Sequence, residues 1–379
     1  MRLWMALLSL APACGFQSQP NGTTSDGKPA IIDAAPTIDG ATDAPIDAAI
    51  DAIPPDAQAC FGSLPRICFM TLPTAPVQIA LGTVVDTNNS PMCNPNHDQA
   101  DKYCVIAGTS FVIPTGITLR ANGPKPLVLI STDEMFDLSG SIDISSKAGT
   151  NTGAGGNNEG CVAGAVATMS SGGAGGSFGG KGGDGKAVDG VGGIGVAAMT
   201  TFPPVLRGGC KGGAGAGMSA GVGGSGGGAV EIVGPKVVIG GQVNASGAGG
   251  HGGGRKKCGG GGGGAGGMIV IDSPMISLVG TATVFANGGG GAQGGEDKGG
   301  GEGADGGEAL TALTPAFGGN TVTLNGGAGG PGAAGTRSKD GDAATNAPGS
   351  NGGGGGGGGA SGFIRAPGVT STLVAPTPE

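Results

Sequence analysis

Three carboxylates stand on apolar, β-prone segments of this chain: Asp137, Asp143 and Glu231. Two carboxyl groups converging on one face can work as acid and base on a glycosidic bond. That chemistry needs acids stacked from unit to unit, and no such ladder builds up here. His97, Asp98 and Asp101 form a second set. Cysteines flank them on both sides, so a disulfide-bounded surface loop is the plainer reading. The run from Gly175 to Lys181 approaches a phosphate-binding loop, yet Gly182 occupies the place of the Mg²⁺-binding Ser or Thr. Gly300-Gly301-Glu302-Gly303-Ala304-Asp305 matches the start of a calcium-binding nonapeptide, without tandem copies. Asp340 and Asp342 bring two carboxylates to one loop. Solvated charges on a glycine loop account for both. Arg255-Lys256-Lys257, near His251, is a basic knot suited to an anionic polysaccharide or a phosphate headgroup. On a chain of net charge −8 it makes no case for nucleic acid. With no CxxC and only two histidines, neither a metal nor a cofactor is expected.

The elements that must position these groups come next. Three segments share one pattern. The first runs from Val128 to Ser145, the second from Ala229 to Gly247 and the third from Met268 to Gly288. Each holds an apolar strand, a polar or proline break, an alternating strand, a glycine turn and another alternating strand. Pro235 and Pro274 take the same break; Gly140, Gly241 and Gly280 take the same turn. Alternation of period two fits a half-buried strand. Three short strands per unit, repeated, predict an all-β fold: a short parallel β-helix or β-solenoid over residues 109–374. A preceding coil is read around Ser110–Leu119 and a closing strand at Gly362–Arg365. The alternative is a β-sandwich with disordered glycine loops.

Seventy-four of the 91 glycines fall in three blocks, 147–227, 247–266 and 288–362. Each block follows the third strand of a unit, so all three are insertions at one corner. Glycine has no side chain to bury and loses the most entropy on ordering. The blocks are therefore either disordered or packed backbone on backbone. Packed polyglycine II helices, with three residues per turn and no internal hydrogen bonds, are the favoured reading. Collagen is excluded, because no strict glycine period runs through the blocks.

Seven cysteines follow Cys14. Their spacings suggest Cys60–Cys68, Cys93–Cys104 and Cys161–Cys210 as pairs, with Cys258 left odd. Residues 60–108 are read as a separate cysteine-containing N-terminal region. Before them, residues 15–59 form a disordered Asp/Ala/Pro tether.

Residues 1–14 read as a signal peptide: Arg2, an apolar run from Leu3 to Leu10, then small residues before a cysteine. Ala11-Pro12-Ala13-Cys14 resembles a bacterial lipobox. That resemblance implies a lipid-modified Cys14 as the mature N-terminus and a membrane link only through that anchor. The glycine blocks resemble the polyglycine-rich tips of phage tail-fibre adhesins. The whole constellation is similar to a family of glycine-rich myxobacterial-type lipoproteins often labelled PE-PGRS-like. The segments carrying that likeness include Pro126–Leu129, Val205–Cys210, Gly266–Ile271 and Val284–Gly288. That family implies no transferable activity. The expectation is an exported, lipid-anchored structural or adhesive protein of the outer membrane or cell surface, without catalysis. Its partners would be a surface polysaccharide or a protein. A polysaccharide-acting β-helix lyase or glycosidase is the alternative.

Overall fold

The computed structural model describes residues 58–149, 151–162, 164–297, 301–321, 325–335, 339–347, 351–369 and 374–376. The expected signal peptide, Cys14 and the tether up to residue 57 lie outside them, as does Gly300. The fold described is all-β. It opens with an antiparallel hairpin, β1 (Ala59–Phe61) and β2 (Ile67–Phe69), bridged by a Cys60–Cys68 disulfide. All other pairing between the described strands is parallel, in three sheets, with isolated antiparallel bridges outside them. The first sheet stacks β5 (Cys104–Gly108), β8 (Leu127–Ser131), β11 (Ala229–Val233), β14 (Met268–Asp272) and β17 (Phe363–Arg365). The second stacks β3 (Val77–Gln78), β6 (Phe111–Ile113), β9 (Phe136–Leu138), β12 (Val237–Ile239) and β15 (Ile276–Leu278). The third stacks β4 (Val84–Asp86), β7 (Thr118–Asn122), β10 (Ser141–Asp143), β13 (Gln242–Asn244), β16 (Thr283–Phe285) and β18 (Val374–Ala375). The chain visits the sheets in rotation, one strand in each. Such pairing is unlike the antiparallel ladders of a β-sandwich.

One boundary moves. The stack was expected to begin at residue 109, yet β3, β4 and β5 already belong to it. β3 and β4 are too brief to show a period, and β5 begins at Cys104, within the region read as a separate cysteine-containing segment. β1 likewise starts at Ala59, inside the expected tether.

Alternate residues of the three sheets meet in one core. Ile106, Leu129, Ile232, Ile271 and Ile364 come from the first sheet. Phe111, Phe136, Val237 and Ile239 come from the second, and Leu119, Ile142, Val243 and Val284 from the third. The ladders place like residues on like, so Phe111 and Phe136 stack with centroids 4.7 Å apart. The glycine turn has two physical reasons. Gly280 has φ of +62°, which disfavours any side chain. At Gly140 a Cβ would fall 2.3 Å from the carbonyl oxygens of Pro114 and Ile117.

The first sheet is buried on both faces, which explains its continuous apolar runs, such as Leu127-Val128-Leu129-Ile130. Its outer face carries Val105, Val128, Met268 and Val270. Ile67 and Phe69 of the hairpin cover it, together with Phe178 and Leu206 of the first glycine block. The long connections follow β10, β13 and β16 and hold the three glycine blocks.

Candidate functional site

The three acids on the strands do not converge. Asp137 lies on β9, Asp143 on β10 and Glu231 on β11, so each belongs to a different sheet. Asp137 accepts a hydrogen bond from the Ser139 hydroxyl at 2.8 Å. Asp143 sits 3.7 Å from Arg120 and 3.8 Å from Lys147 in ion pairs. Glu231 is fully buried on the outer face of the first sheet. Its Oε1 accepts the N–H groups of Ser63 at 3.2 Å and Leu64 at 2.9 Å, from the β1–β2 turn. Its Oε2 has no hydrogen-bond partner among the described residues. Burial pushes this carboxyl up to about 8, opposed by the two backbone donors. Burial, aided by Glu231, also raises the Tyr103 phenol. Glu231 therefore fastens the hairpin to the stack.

In the His97 set, His97 and Asp98 are engaged in local backbone contacts. His97 is buried, its Nδ1 accepts the Gln99 N–H at 3.1 Å, and burial lowers its pKa. Asp98 accepts the Cys68 N–H at 3.0 Å. The flanking cysteines are bonded, Cys93 to Cys104. Among the described residues no cluster of three His, Cys, Asp or Glu side chains is placed to hold a metal ion. The run that approaches a phosphate loop is two opposed segments, with the Gly175 N–H on the Gly183 carbonyl at 2.8 Å.

In the glycine blocks, backbone groups of one segment bond to backbone groups of others. The N–H groups of segment 258–267 donate in a three-residue cycle. Gly259, Gly262 and Ala265 bond to the carbonyls of Ala216, Gly213 and Cys210. Gly260, Gly263 and Gly266 bond to Gly354, Gly357 and Ala360. Gly261, Gly264 and Gly267 bond to His251, Ala248 and Ala245. Its carbonyls accept from three further segments, as in Gly173 to Gly260, Gly224 to Gly262 and Ala292 to Gly261. Segment 353–362 is surrounded in the same way, its N–H groups reaching Gly289–Gly295, Ser170–Gly176 and Lys339–Asp342. A Cβ on any residue from Gly259 to Gly264 would fall 1.9 to 2.3 Å from a backbone carbonyl oxygen. None of the six has positive φ, so space rather than backbone conformation demands glycine there.

Marginal segments show a different pattern. Every third residue carries a side chain that reaches solvent: Lys211 and Ala214, Val222 and Ser225, Glu302 and Asp305. The repeated Gly-Gly-X phase was a usable signal for this. A Cys161–Cys210 disulfide ties the first block. Arg207 is buried beside it, with Nη2 3.1 Å from the Cys161 sulfur and the guanidinium carbon 5.0 Å from the Phe178 centroid. Burial lowers its pKa. Cys258 is a buried free thiol. Arg255-Lys256-Lys257 forms the turn before it, with Lys256 and Lys257 both at positive φ. Lys257 pairs with Asp189 at 3.6 Å, and His251 faces Asp305 at 3.7 Å.

Two concavities stand out. One, of about 680 Å³, runs along the corner between the second and third sheets. Thr115, Ser139, Ser141, Gln242, Thr281 and Thr283 line it, so hydroxyl or amide groups recur from coil to coil. The other, of about 420 Å³, lies beside the Cys161–Cys210 disulfide, between residues 174–177 and 211–215. No protein-family model, curated protein or solved structure matches this chain.

Proposed function

We propose that this is an exported structural or adhesive protein of the cell surface, held by lipid at Cys14 and without catalytic activity. The three parallel sheets are read as a short β-solenoid. The glycine blocks are read as a bundle of polyglycine II helices rising from one of its corners. The observation that carries the reading is the six-sided hydrogen bonding of segment 258–267. A three-residue cycle of donors is the signature of a three-fold extended helix, whose polar groups must all find partners outside it. A bundle so bonded is a stiff platform made of backbone, displaying its marginal side chains every third residue. The separation of Asp137, Asp143 and Glu231 on three sheets weighs against a two-carboxylate enzyme.

Of the two partner classes, a polysaccharide suits the corner groove, where Ser141 and Gln242 stand in register on neighbouring strands. The test is pull-down on a panel of bacterial exopolysaccharides and cell-wall glycans, scored together for retained protein and for new reducing or unsaturated ends. Retention without new ends, weakened by Gln242→Ala, is the expected result. New ends that vanish in Asp137→Asn, Asp143→Asn or Glu231→Gln would replace this reading by the enzyme. Metabolic labelling with a fatty acid, lost in Cys14→Ser, tests the anchor.

A further inference from the structure

The groove beside the Cys161–Cys210 disulfide looks like an unfilled position in the glycine array. Around segment 172–178, five directions are filled. The N–H groups of Gly172 and Gly175 reach Lys186 and Gly183, and those of Gly173 and Gly176 reach Gly260 and Gly263. The carbonyls of Gly173 and Gly176 accept from Gly357 and Ala360, that of Ala174 from Gly213, and that of Gly172 from Gly193. The third N–H direction belongs to Ala174 and Ser177. These two amides have no hydrogen-bond partner among the described residues. On the adjoining segment the amides of Lys211 and Ala214 also have no hydrogen-bond partner among the described residues. Two pairs of donors, each three residues apart, therefore belong to segments that both line this groove.

Resting on the polyglycine II reading, we propose that this groove binds an extended glycine-rich strand from another chain, which completes the array. A strand with three residues per turn meets donors spaced by three, whereas a β-strand repeats every two. The lining excludes bulk: Gly175, Gly176, Gly212 and Gly213 present backbone without side chains to the groove. At about 3.1 Å per residue, the length of 211–215 accommodates about five residues of guest. Val162 and Val166, both exposed, form an apolar rim for the guest's occasional side chain. The device parallels strand addition at a sheet edge, with backbone bonds supplying affinity.

The test uses the full chain and a short fluorescent peptide of repeated Gly-Gly-Ala and Gly-Gly-Ser. A second peptide carries sarcosine for glycine; it keeps the carbonyl acceptors, but its N-methyl groups are too bulky to lie against the backbone lining. The first is expected to bind, and the second is expected not to. Ala214→Leu, which fills the groove from an exposed position, should weaken binding about tenfold or more. Val166→Trp, which narrows it from the rim alone, should act in the same direction, whereas Leu substituted for the exposed Asn346, which does not line the groove (Asn346→Leu), should not. No binding, equal binding of the sarcosine peptide, or indifference to both groove variants would overturn the proposal. Amide exchange at Gly259–Gly264, read in the same sample, separates the two levels. Slow exchange without peptide binding defeats this inference alone; fast exchange defeats the array and this inference together.

Discussion

The parallel stack and the glycine blocks solve the same problem by opposite means. In the stack, backbone groups pair along three ladders and side chains fill the space between, as in Phe111 on Phe136. Stability there follows the apolar area removed from water. In the blocks the backbone itself is the filling. Segment 258–267 contributes no side chain to the space between neighbours along Gly259–Gly264, and its donors satisfy three segments at once. Apolar burial supplies little there, so hydrogen bonding and close contact must offset a large ordering entropy. One region tolerates loss of volume badly; the other tolerates no gain of volume at all.

The sharpest way to break that comparison is to add carbon where the blocks allow none. Gly262→Val places a Cβ where it would lie 1.9 Å from the Ala174 carbonyl oxygen. The expected cost is about 4 kcal/mol or more in chemical denaturation, above the usual range for overpacking because backbone on both sides must move. Wild-type stability in this variant would refute backbone packing. The reverse change in the stack is next in size. Leu129→Ala removes a fully buried side chain from the common core. It should cost about 3 kcal/mol, with amide exchange in the glycine blocks changing less than exchange in β8.

The third prediction concerns the seam between hairpin and stack. Glu231 has a folded pKa raised to about 8 from its ordinary 4.5. The folded protein thus holds a proton that the unfolded chain releases. Stability is complete below about 4.5 and falls as pH rises toward about 8, by about 1.4 kcal/mol per unit inside that window. Asp272 adds to the penalty and Arg365 relieves it. Glu231→Gln is neutral throughout, so its denaturation midpoint should lose this fall with pH. An unchanged pH slope in the variant would place the carboxyl outside the seam.

Much of the architecture was legible because its signals are local. The strands β8 to β16 repeat a pattern that three segments share, and turn glycines mark the corner at Gly140, Gly241 and Gly280. The early strands escaped notice because two or three residues, such as Val77–Gln78, carry no measurable period. Burial of the first sheet on both faces was also hidden. It depends on the hairpin and on Phe178, which are remote in sequence and meet the sheet only after folding. Glu231 looked like a candidate acid for the same reason, since nothing near it in sequence announces Ser63 and Leu64 as its partners. In the blocks the informative signal was the phase of the non-glycine residues rather than the glycine count.

That phase makes the smallest prediction and the most discriminating one. Val222 occupies a third position between Gly221 and Gly223 and is about half exposed. Its two neighbours are not equivalent to it: a Cβ at Gly221 would fall 1.9 Å from the His251 carbonyl oxygen, and one at Gly223 would fall 1.9 Å from that of Gly212. Val222→Ser should therefore change stability by less than about 0.5 kcal/mol. Gly221→Ser and Gly223→Ser, one step along the chain in either direction, should each cost several times more. A denaturation series across the three positions, extended to Gly224→Ser, reads the three-residue period. Equal effects at all three would mean that the segment is not held in a repeating array. The fourth position separates the periods: a Cβ at Gly224 would fall 2.2 Å from the Ala248 carbonyl oxygen, so a three-fold backbone with one open side makes Gly224→Ser as costly as Gly223→Ser, whereas a two-residue period would make it as mild as Val222→Ser and an unstructured loop would make all four alike.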